Sequence, residues 1–210
     1  MKFRFLNTVA LAVLLICAGC ASPYDYTTFR AHPPRSIVVF PPLNLSTDVR
    51  GTYGYLSTVT RPLAEMGYYV FPVAEIDEFM KENGLPTTGE MQQAPLDKIS
   101  SIIGADAALY ITLTQYGSKY EVLTSVTVVA ANAKLVDVKT GLTLWQGTVV
   151  VQENSSSDNI IADLVVAAVD QIINSSTDQA HDLSSQANAQ LFMTKNQGLL
   201  FGPYYPKSQQ

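Results

Sequence analysis

The stretch from Val126 to Val151 restricts the fold more than any other part of the chain. Two runs rich in Val and Thr flank Asp137-Val138-Lys139-Thr140-Gly141, and the single tryptophan, Trp145, lies just past that turn. β-Branched runs around a short Gly-containing loop predict a β-hairpin, with the glycine supplying the positive φ that such turns use. The remaining elements then have to cover this hairpin.

They read in order as follows. Arg35–Phe40 is a short apolar run bounded by prolines, which predicts a buried first strand. Asn44–Gly54 reads as a loop. Leu56, Val59, Leu63 and Met66 recur on one helical face, with Pro62 either kinking that helix or opening a new one. Gly67–Pro72 predicts a second strand, and Val73–Met80 a helix ended by Asn83-Gly84. Pro86–Pro95 reads as a loop, Leu96–Ile103 as a helix stopped by Gly104, and Ala107–Gln115 and Tyr120–Ala130 as strands. Ile160–Ile173 carries a broad apolar stripe. A more polar helix follows from about Asp178, with Ala180, Leu183, Ala187 and Leu191 as its narrow seam. The tail Gly198–Pro206 is aromatic but full of breakers, and is expected to lie extended on the body or on another subunit. The fold class is α/β (α+β), one domain with a mixed sheet of about five strands and a long hairpin packed against helices.

The chain has 210 residues, enough to bury roughly 70% of its unfolded surface without covalent staples. Charged residues make up 15%, without the basic face that nucleic acid requires. At the N-terminus Lys2 and Arg4 precede an apolar run, Phe5–Ile16, too short to span a bilayer comfortably. Cys17-Ala18-Gly19-Cys20 follows and resembles the lipobox of bacterial lipoproteins, with Cys17 standing where Leu is usual. The resemblance implies that residues 1–19 are a signal peptide cut before Cys20. Cys20 would carry diacylglycerol and an N-acyl chain, the sole prosthetic group expected, with no other cofactor and no metal. Ala21 and Ser22 in the sorting positions imply the outer membrane, periplasmic side. Removing Lys2 and Arg4 leaves 11 basic against 18 acidic side chains, so the acyl chains must do the anchoring. The mature chain would hold no free thiol.

Residues 20–34 read as a Pro-containing tether, 35–195 as the folded domain and 196–210 as an extended aromatic tail. Tyr24, Tyr26 and Phe29 in the tether, and Phe201, Tyr204 and Tyr205 in the tail, are more aromatic than a passive segment needs. They are candidate interface residues, since tyrosine suits half-buried core edges and interfaces equally.

Ser57–Val73, Gly104-Ala105-Asp106, the Asp137–Gly147 hairpin and Gly198–Tyr205 resemble an uncharacterised family of outer-membrane lipoproteins. The middle two stretches are shared more widely, with the α/β domain of CsgG-like secretion lipoproteins, the TolB N-terminal domain, and lipoproteins that activate peptidoglycan synthases. The resemblance implies an envelope assembly, with a CsgG-like lipoprotein as a partner. It brings no catalytic residues.

The residues themselves point the same way. His32 precedes a proline, and His181 lies beside Asp182 on a polar helix; neither has the convergent ligands of a metal site or a positioned nucleophile. No nucleophile elbow, phosphate loop or dinucleotide fingerprint is present. Asp106 reads as a turn residue, and Glu75, Asp77, Glu78 and Glu82 as a solvated acidic face. The expected function is a non-enzymatic, lipid-anchored module that binds envelope proteins or copies of itself. The alternative is a small-molecule or cell-wall ligand-binding lipoprotein, with a cleft between the sheet and the loops Pro41–Gly54 and Pro86–Pro95.

Overall fold

The computed structural model describes residues 24–120, 125–155 and 168–206. In chain order the elements are α1 (Thr27–Ala31), β1 (Ser36–Val39), β2 (Leu43–Asn44), α2 (Gly51–Glu65), β3 (Tyr69–Val70), α3 (Val73–Glu82) and α4 (Thr88–Met91). There follow α5 (Leu96–Lys98), which runs into a π-helical turn (Ile99–Ile103), then β4 (Ala107–Tyr120), β5 (Ser125–Asp137), β6 (Thr143–Ser155) and α6 (Ala168–Met193). The strands form one mixed, open sheet of six in the order β3-β1-β4-β5-β6, with β2 pairing β4 beyond the end of β1. β1 is parallel to β3 and β4, whereas β4, β5 and β6 are an antiparallel meander.

The hairpin forms where the sequence predicts it. Asp137 Oδ1 accepts from the Thr140 amide at 2.7 Å, Asp137 N donates to Leu142 O, and Gly141 takes φ +72°. The short strand β1 is apolar on successive residues because both faces of the sheet are covered there. Ile37 and Val39 meet α2 and α6, while Val38 and Phe40 meet Ile76, Met80, Met91 and Ile99 from the opposite layer. The predicted seam of α6 is buried in full: Ala180, Leu183, Ala187 and Leu191 all lie in the main core. Asn188 adds a polar link within that layer, donating to Thr58 Oγ1 at 2.8 Å between two buried side chains.

Several elements depart from the sequence expectation. α2 is one helix that begins at Gly51 and runs through Pro62. Its packing on the sheet and α6 outweighs the roughly 3 kcal/mol that an internal proline costs. The two glycines at its start are there for space: a Cβ at Gly54 would stand 2.3 Å from Tyr116 Oη, and one at Gly51 2.9 Å from Asn44 Nδ2. Within the Pro86–Pro95 segment a capping box forms α4, Thr87 and Glu90 bonding each other's backbone amides. The strands expected at Ala107–Gln115 and Tyr120–Ala130 are instead β4, which continues to Tyr120, and β5, which begins at Ser125. α6 passes without a break through 174–178, where two helices were expected; residues 160–167 of the apolar stripe lie outside the described residues. Asp77 is not on a solvated face: it is buried, and its Oδ2 accepts from Lys81 Nζ at 2.6 Å, which also reaches Tyr53 Oη at 3.1 Å. Asp106 is a structural turn residue, its carboxylate accepting from the Arg35 and Ser36 amides.

Burial pushes the phenols of Tyr26, Tyr55, Tyr68, Tyr110 and Tyr116 above their ordinary pKa. The folded state thus holds protons that the unfolded chain releases above about pH 10. Their contribution is complete below that pH and is lost as pH rises through the folded-state values. Stability is expected to fall by up to about 1.4 kcal/mol per pH unit for each of the two most deeply buried phenols, Tyr55 and Tyr68. Ultraviolet absorption of tyrosinate should rise together with unfolding; ionisation of all tyrosines well before unfolding would contradict this.

Candidate interaction surfaces

The two ends of the described chain meet. Tyr24 N donates to Asn196 O at 3.1 Å, Tyr24 Oη accepts from the Gln146 amide, and Tyr26 Oη donates to Gly198 O. Tyr26 and Phe29 are buried in the main core, and Tyr24 is half-buried against it. Residues 24–34 are therefore a docked part of the body, not a tether, and Tyr26 and Phe29 are core residues rather than a presented interface. The reason is apolar area: two aromatic rings gain more by closing the end of the sheet than by trailing in water.

The tail is laid along the same end. Leu199 N donates to Phe192 O, Tyr68 Oη to Leu200 O, Gly202 N to Met66 O and Tyr204 N to Gly67 O. Gly67 sits at φ +86°, and a Cβ there would stand 2.2 Å from Tyr205 N, so only glycine lets the tail come this close. Phe201 is 49% and Tyr204 64% exposed, while Tyr205 is half-buried and stacks on Phe201 at 4.0 Å. Phe201 and Tyr204 thus face solvent at the surface, with Tyr205 beneath them at its edge. Cys20, Ala21 and Ser22 lie outside the described residues.

A second surface had not been anticipated. β6 ends the strand order, and among the described residues no strand pairs with its outer side. The Gln146 amide points outward to Tyr24 Oη, and the β5–β6 register is unbroken from Trp145 to Ser155. Backbone alternation therefore turns Thr148, Val150 and Gln152 outward as well. Val150 is 59% exposed. From Thr143 to Gln152 there is no charge and no proline, two of the devices that blunt a strand edge. A groove of about 350 Å³ runs beside this edge, lined by Thr148, Val150, Gln190 and Thr194 among others. The uncharged run was the sequence signal; the edge position of β6 was not readable from it.

The sheet face away from α2 and α6 holds a broad depression of about 960 Å³ between Gln92–Leu96 and β4–β6. Its bottom is polar and already engaged: Gln92 Nε2 donates to Pro41 O and Ile111 O, and Asn132 Oδ1 accepts from Thr148. The Pro41–Gly54 segment, expected as the other wall, does not line it. Lys134 is the charged side chain in the lining, and it lies over the Tyr110 ring. Among the described residues no group of three or more His, Cys, Asp or Glu side chains could hold a metal ion. His181 is an exposed residue 3.9 Å from Asp182 Oδ1.

Comparison with known proteins gives a consistent result. The family model described as "Putative lipoprotein GNA1162-like" matches residues 24–204. "Putative lipoprotein NMB1124/NMB1162" of Neisseria meningitidis serogroup B (strain ATCC BAA-335 / MC58) is 42% identical over 213 residues, spanning 100% of this chain and 99% of its own length. The crystal structure of lipoprotein GNA1162 from Neisseria meningitidis is 40% identical, with a TM-score of 0.56, and the match covers 71% of this chain and 99% of that one.

Proposed function

The chain belongs to the GNA1162-like lipoprotein family, and from that premise we propose that it is a non-enzymatic, lipid-anchored module of the outer membrane that binds other envelope proteins through the open edge of β6. In this reading residues 1–19 are removed, Cys20 carries the diacylglycerol and N-acyl chains, and Ala21-Ser22 directs the protein to the periplasmic side of the outer membrane. The body then begins at Tyr24, and the linker shrinks from 20–34 to the few residues before it.

The observation that carries the reading is the β6 edge, which no strand pairs among the described residues and which is uncharged from Thr143 to Gln152. Outward N–H and C=O groups at Thr148, Val150 and Gln152 are a template for an added strand. An anchor confines such an edge to two dimensions and raises its effective concentration for neighbours. The added strand belongs to a second copy or to an envelope protein. A CsgG-like lipoprotein is the partner class that the sequence resemblance to the outer-membrane lipoprotein family implies. The ligand-binding alternative is not favoured, because the depression on the sheet is broad and Gln92, Asn132 and Thr148 within it already bond inside the chain.

The anchor is tested by fractionation with intact-mass measurement. The native protein is expected to carry acyl mass on Cys20 and to sediment with the outer membrane. Cys20→Ser should lose both properties. An unmodified native chain, or a variant that fractionates like the native one, would overturn this reading.

A further inference from the structure

We infer that the end of the molecule formed by Tyr24, Met193, Lys195 and the Phe201–Tyr204 tail lies on the bilayer surface, with Met193 and Phe201 at the level of the lipid headgroups. The inference rests on lipidation at Cys20 and adds an orientation to it. Tyr24 is fixed to the body through Asn196, and Cys20 stands four residues earlier. Four residues span at most about 14 Å when fully extended, so the anchor cannot hold this end far from the membrane.

The surface around that exit has the composition of an interfacial contact. Met193 is 47% exposed and Phe201 49%. They border an open groove of about 670 Å³, in which Tyr24, Tyr26, Arg30 and Lys195 are also lining residues. Single exposed apolar side chains are ordinary. Here two of them, with Tyr204 on the same tail, surround the one place where the chain leaves toward its anchor. Arg30 and Lys195 suit lipid phosphates, and aromatic rings suit the headgroup layer. Asp25, also in the groove lining, is the carboxylate that opposes them.

The opposite end of the body is a built-in reference. α2 runs from Gly51, beside Tyr116, to Glu65, next to the tail-binding Met66 and Gly67. Its 15 residues separate the two ends by about 22 Å. Val49, 87% exposed, precedes the far end of that helix.

The test uses the full lipidated protein. Cys17 and Cys20 are the chain's two cysteines, one in the leader and one in the thioether, so an introduced cysteine is the unique thiol. Phe201→Cys, Met193→Cys and Val49→Cys are each labelled with an environment-sensitive nitrobenzoxadiazole. They are then reconstituted into vesicles of phosphatidylethanolamine and phosphatidylglycerol. Labels at 201 and 193 are expected to brighten several-fold, shift to the blue and be quenched by spin-labelled lipid, while the label at 49 stays solvent-like. Protein that floats with the vesicles while its 201 and 193 labels stay solvent-like would overturn this inference and leave the anchor standing. So would labels that respond only when an envelope protein is added, since the patch then belongs to a protein partner. Protein that lacks acyl mass and fails to float would overturn the anchor itself, and the orientation with it.

Discussion

Trp145→Ala is expected to lower the unfolding free energy by roughly 3–5 kcal/mol, the range for removing a large buried aromatic side chain. The indole is fully buried, packs on Phe192 at 5.9 Å between centroids, and donates from Nε1 to Gln197 O at 2.8 Å. It lies across Gly147, where a Cβ would stand 2.5 Å from the ring and 3.0 Å from Leu191 Cδ1. One side chain thus joins β6, α6 and the start of the tail. Its removal opens a cavity in the core and frees the turn that holds Asn196 and hence Tyr24. Trp145→Phe should fall between the two, losing the hydrogen bond and part of the ring. Urea unfolding followed by far-ultraviolet circular dichroism measures both variants. A loss below about 1 kcal/mol for Trp145→Ala would mean that the junction is not held from this residue.

The largest functional effect is expected at Val150, through Val150→Pro and Val150→Lys. The Val150 N–H faces away from β5, so proline there spares the β5–β6 ladder and is tolerated as on other edge strands. The same change removes the donor that an incoming strand needs, and the ring blocks close approach. Lysine keeps the donor but places a charge on an otherwise neutral edge, the device by which edges are normally protected. Loss of the Val150 N–H hydrogen bond, together with the packing that the proline ring blocks, is expected to weaken association of Val150→Pro by roughly 2–3 kcal/mol, about a hundredfold in dissociation constant. Sedimentation of the solubilised protein reads the change, while an unaltered melting temperature confirms that the fold is intact. Association unchanged in both variants would remove β6 from any interface.

Much of this architecture is written in local pattern. The hairpin follows from its Val/Thr runs and Gly141, and the α6 seam from the spacing of Ala180, Leu183, Ala187 and Leu191. What escaped the pattern has specific causes. The start of α2 is masked by Gly51 and Gly54, poor helix formers present because Asn44 and Tyr116 come so close. β2 is two residues long, below what periodicity can register. Asp77 repeats the acidic spacing of its neighbours, and its burial shows only in the fold, where Lys81 bonds both it and Tyr53. The joining of Tyr24–Phe29 to Asn196–Gly202 is a contact between distant segments with no local signature beyond surplus aromatic residues. The edge was half legible: the sequence shows an uncharged run from Thr143 to Gln152, but not that its strand would be last in the sheet.

Site-specific photocrosslinking in intact cells asks whether the anchored body offers the β6 edge to a neighbour. A benzophenone side chain is placed at position 150 or, as a reference, at 49, in the native chain and in Cys20→Ser. The expected result is a discrete self-ladder or a defined envelope-protein adduct from position 150, dependent on Cys20 and missing from position 49. An anchored protein that gives no adduct from position 150, or the same adducts with and without Cys20, would contradict it.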